Sequence, residues 1–215
     1  MTVLFASLAI LRFNYFLAEL SIVSDYHFRN PSLTTRFNNV ITFASACGLP
    51  TAFLCGVVVD KLRSKCNKKL GRLLKQKESK ERNEAIMWYN ARPAAFSMFI
   101  FSVFTLILSC LIFIPYEEAY YINFVFFLLM RGFLFTTSTI NVISLFPVSQ
   151  FGTICGVESA VSGVVSCLQY AILKLPPTYA DICLLIIALL TFIPPSIVII
   201  MSSRSLKRIS PDIED

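Results

Sequence analysis

MFIFSVFTLILSCLIFIP, residues 98–115, and ICLLIIALLTFIPPSIVIIM, residues 182–201, contain no charged side chain. A hydrocarbon core of about 30 Å needs about 20 helical residues to cross it, and uncharged runs of about 18 or more read as spans, not as core helices. Working outward from these two runs, six helices are expected at 2–22, 37–59, 93–115, 121–146, 152–174 and 181–202. The expected fold is an all-α polytopic membrane protein, a six-helix bundle in one domain. Chain breakers fall between the spans: Asn30-Pro31-Ser32, Pro115 with Glu117 and Glu118, Phe146-Pro147, and Leu175-Pro176-Pro177. The first run has no basic segment before it and carries Arg12 and Glu19, so it reads as a span and not as a cleaved leader.

Composition agrees. Apolar residues make up 56% of the 215-residue chain, charged residues 15%, and mean hydropathy is +0.69. A soluble domain carries about 25% charged residues. The seven cysteines, at 47, 55, 66, 110, 155, 167 and 183, form no C-x-x-C and lie mostly in apolar runs. They read as packed thiols, not as a disulfide framework or a zinc site. No metal and no cofactor are expected.

Lys and Arg set the sidedness. Eleven of them lie between Lys61 and Arg92, and Arg204, Lys207 and Arg208 follow the last span. Only Arg29, Arg36 and Lys174 fall on the other side. The positive-inside rule then places the loop 60–92, the tail 203–215 and both termini in the cytosol. The net charge of +6 is thus a topology signal, and the basic run lacks the aromatic interleaving of a nucleic-acid module. The loop reads as a solvated connector, with 68–87 as an alternative surface helix on the anionic leaflet.

Ionisable residues inside spans normally face a bundle interior or a wet cavity. Arg12, Glu19, Arg131 and Glu158 are read as the four, on the first, fourth and fifth spans. Those three spans are expected to enclose something polar, and the third and sixth to face lipid. Arg12 and Arg131 are placed near the midplane, Glu19 near the outer surface. Glu158 is placed about four residues of rise from Arg131, so an Arg131–Glu158 ion pair is expected, with Arg12 and Glu19 on a cavity wall. Asn14 and Gln169 join these as candidates for the solute path or its gate. Gly48 and Pro50 interrupt the second span, Pro147 ends the fourth, and Gly152 and Gly156 have the spacing of a small-residue packing motif. Pro194-Pro195 should bend the sixth.

Gly56-Val-Val-Val-Asp60-Lys61 resembles the G-x-x-x-D-[RK] motif of the major facilitator superfamily, although its second half is degenerate. Physically, Gly56 permits close packing and Asp60 can pair with a cation or a helix N-terminus. Arg131-Gly132-Phe133, then Phe146-Pro147, Phe151-Gly152, Gly156 and Leu168-Gln169, are similar in order and spacing to the closing helices of the solute carrier 43 family. The resemblance implies the C-terminal six helices of a twelve-helix, sodium-independent facilitator of large neutral amino acids, or alternatively of nucleobases. It implies a plasma-membrane protein that meets the lipid bilayer, a small solute and a missing N-terminal half. Because Met1 lies directly at a span, a truncated or split gene product is expected.

Rival classes fare less well. No G-x-S-x-G or H-E-x-x-H occurs and the only histidine is His27, so an intramembrane hydrolase is not expected. No Arg ladder or filter-like sequence suggests a channel. A non-transporting membrane partner stays open. The topology has a direct check. Cys66 should resist membrane-impermeant thiol reagents in intact cells and react after permeabilisation; labelling from outside would overturn the assignment.

Overall fold

The computed structural model describes residues 2–28, 31–46, 48–74, 80–114 and 116–209. Its elements are α1 (Thr2–Phe28), α2 (Pro31–Ala46), α3 (Gly48–Leu74), α4 (Lys80–Leu111), α5 (Glu117–Leu145), α6 (Phe151–Ser166), α7 (Leu168–Ile172), α8 (Pro177–Leu190) and α9 (Ile193–Ile209), with one 3-10 turn at Val148–Gln150. There is no strand among the described residues. With no water in a bilayer to satisfy the backbone, helices are the open-chain solution.

Five described segments are long and apolar enough to cross a membrane: Thr2–Glu19, Asn83–Leu111, Glu118–Leu145, Phe151–Ile172 and Pro177–Ser205. They match five of the six expected spans. The second, 37–59, is divided between α2 and α3, which flank residue 47, itself outside the described residues. The connector expected to be simply solvated is largely helical: α3 runs on to Leu74 and α4 begins at Lys80.

Side-chain bonds fix the helix directions. Ser97 bonds Thr137, and Asn90 Nδ2 donates to the Ser144 carbonyl (3.0 Å), so α4 and α5 are antiparallel. Ser138 Oγ donates to Glu158 Oε2 (2.9 Å) between α5 and α6. Ser7 pairs with Ser162 (3.3 Å) and Asn14 Nδ2 donates to Ser166 Oγ (2.7 Å), so α1 and α6 run parallel. The start of α1, the starts of α4 and α6, and the ends of α5 and α9 therefore share one face of the bundle.

Pro194-Pro195 does separate α8 from α9. Pro195 has no N–H for the Thr191 carbonyl four residues back. Ser102 Oγ of α4 donates to that carbonyl instead, at 3.0 Å. The core is aromatic and is shared by α1 to α5. Phe16 stacks on Phe127 at 4.7 Å, Phe37 on Tyr120 at 5.6 Å, and Phe5 meets Phe101 edge-on at 5.2 Å.

Gly132 marks the closest approach of two helices. A Cβ there would stand 2.8 Å from Thr51 Oγ1 and 3.0 and 3.1 Å from the backbone of Thr51 and Ala52. Gly56, Gly152 and Gly156, expected to allow close packing, have nothing within 4 Å of such a Cβ. The spacing was present, but each of these glycines lies on a side of its helix that no other described element covers. Gly132→Ala should therefore lower the thermal midpoint in detergent micelles, by the equivalent of about 1–3 kcal/mol of overpacking. Gly156→Ala should leave the midpoint unchanged.

Candidate functional site

α1 carries the polar centre of the bundle. Arg12 is wholly buried, its Nε donates to Ser109 Oγ of α4 at 3.3 Å, and its guanidinium lies 5.9 Å from the Phe16 ring. Its two terminal nitrogens are buried and meet no hydrogen-bond acceptor. Two turns further along α1, Glu19 is 5% exposed, with Oε2 buried and unbonded. The spacing of seven puts both residues on one face of the helix.

A third ionisable side chain completes the group. Asp181 of α8 lies within hydrogen-bonding reach of the Glu19 carboxyl and within electrostatic reach of Arg12. The Tyr15 and Tyr120 hydroxyls face the same two carboxyls. Asn123 stands one turn beyond Tyr120 on α5, fully buried, and both atoms of its amide lack a partner. Gln169 Oε1 on α7 is likewise buried and unpartnered. An isolated charge in the membrane costs several kcal/mol, so one cation facing two carboxyls is partial compensation. The orphaned donors and acceptors around it are what a polar solute could satisfy.

The structure corrects several expectations. Glu19, expected near the outer end of the first span, is buried within hydrogen-bonding reach of Asp181. Asp181 was legible as the first residue of the expected sixth span, yet its helix was read as uncharged. Arg131 and Glu158 do not pair: Glu158 accepts from Ser138, and Arg131 is half-buried without a hydrogen bond to another described residue. Ser138 is level with Glu158, whereas Arg131 stands seven residues back along α5, about 10 Å of rise rather than 6 Å.

The assignment of lipid-facing helices is also corrected. Half of the span on α4 is buried, as much as on α1, and only 17% of the span on α6 and α7. α4 turns Ser97, Ser102, Thr105 and Ser109 inward; small hydroxyls, not charges, are its polar face. α6 buries Glu158, Ser162 and Ser166 and exposes Val157, Val161 and Val164. Of the other candidates, Asn14 ties α1 to α6. Asp60 and Lys61 are exposed on α3 and pair with no described residue. Pro50 and Pro147 are exposed, and Gly48 opens α3.

The fold and its charged interior define an integral, multi-pass, all-helical membrane protein. Comparison with known proteins finds a chain 25% identical over 185 residues, the Equilibrative nucleobase transporter 1 of Bos taurus. The match covers 83% of this chain and 36% of that protein. No family model and no solved structure matches.

The cluster predicts a coupling. Arg12→Met removes the cation within electrostatic reach of two carboxyls and should lower stability, with a coupling to Glu19 of about 0.5–3 kcal/mol. Adding Glu19→Gln should recover part of that loss. A double-mutant cycle on unfolding in micelles measures it; strictly additive effects would separate the two residues.

Proposed function

We propose that the chain supplies six helices of a membrane transporter, and that the group built on Arg12, Glu19 and Asp181 meets the solute. The observation that carries this reading is the similarity, over most of the chain, to a nucleobase transporter. It favours a nucleobase as cargo. The site chemistry supports the same choice. A nucleobase is uncharged, planar and edged with carbonyls, ring nitrogens and N–H groups. The two free guanidinium nitrogens of Arg12 and the amide of Asn123 offer it donors, and Glu19 offers an acceptor. Phe13 and Phe16, both in ring contact with Phe127, offer faces for stacking.

Large neutral amino acids are the second reading, favoured by the resemblance to the solute carrier 43 family. An amino acid would place its carboxylate on Arg12 and its ammonium on Glu19 and Asp181. In either case a major facilitator arrangement needs a second six-helix half, against which this one rocks. The lightly buried α6 and the exposed Asp60-Lys61 pair are the surfaces available to it. The basic segments support a topology with the loop 60–92 and both termini cytosolic, and the plasma membrane is the proposed site of action.

Uptake of radiolabelled adenine tests the reading, measured with the chain alone and with the chain fused behind an N-terminal six-helix half. Adenine uptake by the fusion, competed by other nucleobases but not by leucine or phenylalanine, is expected. It should fall at least tenfold in Arg12→Met at unchanged surface expression, and Asp60→Asn should change rate more than ranking. Competition by amino acids alone would select the second reading. No uptake of either class by a surface-expressed fusion would mean a non-transporting membrane partner.

A further inference from the structure

At the end of the bundle opposite the Arg12 group, α1, α4, α5 and α9 line a partly open cavity of about 220 Å³. Its wall is mainly apolar, including Ala91, Ala95 and Met98 of α4, Leu145 of α5 and Val198 of α9. No charged side chain lines it. Three lining residues, Thr2, Trp88 and Asn141, break the apolar pattern. The indole N–H of Trp88 is buried without a partner. Asn141 is 3% exposed and makes no hydrogen bond to another described residue.

A buried donor without an acceptor is costly, and the Trp88 N–H beside this cavity is one. Water alone is a poor occupant, because it needs two to four polar partners and most of this wall is hydrocarbon. Size narrows the choice. An apolar cavity of about 150 Å³ holds benzene, and sites for drug-sized ligands begin at about 300 Å³. This cavity lies between them. Charge narrows it again, because an ion would find no counter-charge.

We infer that this cavity is a binding site for a small neutral aromatic molecule, one ring bearing a single hydrogen-bond-accepting group that meets Trp88 and Asn141. The ring fills the space between Ala95, Met98 and Val198, and the acceptor takes the indole N–H and the Asn141 amide. The site is separate from the Arg12 group and does not depend on the transport reading.

Trp88 is the only tryptophan in the chain, so its emission reports on the cavity alone. The full chain in lipid nanodiscs is titrated with 4-bromoacetophenone, whose carbonyl is the acceptor and whose bromine quenches the indole. The comparison probe is 4-bromoethylbenzene, which lacks the acceptor. Saturable quenching is expected, with the ketone binding at least fivefold more tightly than the hydrocarbon. Asn141→Leu should erase at least half of that preference on a logarithmic scale. Ala95→Leu fills the cavity and should abolish saturation; Ala91→Leu is a second filling variant should the first not fold. Quenching that rises linearly without saturation, or that persists unchanged in the filled variants, would show only partitioning into lipid and overturn the site. Equal affinity for the two probes would overturn the role of the acceptor.

Discussion

A backbone carbonyl that loses its donor inside a bilayer has no water to turn to. That constraint organises this bundle. The bend at Pro194-Pro195 exists because Ser102 reaches across from α4 to the Thr191 carbonyl. The same economy joins the other helices: Ser97 to Thr137, Ser7 to Ser162, Asn14 to Ser166, Ser138 to Glu158. Each bond is modest on its own, since such interhelical contacts contribute about 0.6 kcal/mol on average. Together they set the depth at which each helix sits against its neighbour. The apolar side chains cannot do this, because lipid tails satisfy them equally well at any depth.

Against that background the Arg12 group is an exception. Elsewhere a hydroxyl meets a carbonyl or another hydroxyl. Here a guanidinium, two carboxyls, two phenols and an amide are gathered from α1, α5 and α8, and several of their atoms remain unmet. Trp88 and Ser202 also bury polar atoms without a partner, but the orphaned atoms of Arg12 and Glu19, the costlier ones in a membrane, fall in this group.

Much of the architecture was legible in the sequence because hydropathy acts on whole segments. The uncharged run 182–201 lies in the α8–α9 pair, and most of 98–115 lies in α4, which ends at Leu111. Pro194-Pro195 marked a real bend. Arg12 and Glu19 were identified as interior charges from position alone. What could not be read was which way a face points. Arg131 and Glu158 sit on adjacent helices at similar nominal depths, but depth counted from span ends is loose by a turn. One turn was enough to give Glu158 to Ser138. α4 looked lipid-facing because it lacks charge, although its serines and Thr105 point inward. Gly132, the one glycine shown to be pressed against another helix, differs from Gly152 and Gly156 only in what lies across from it. Asp181 was in plain sight, at the first position of a span judged by its interior.

The distances along the chain that separate the partners of Arg12 also bear on how the protein is made. Ser109 lies 97 residues after Arg12, and Asp181 is later still, in the final pair of helices. Throughout synthesis of the intervening helices the first one carries an arginine and a glutamate whose later neighbours do not yet exist. Until α4 and α8 are made, Arg12 and Glu19 have neither Ser109 nor Asp181 beside them, so the cost of holding these charges in a membrane is met only when helices distant in sequence have come together.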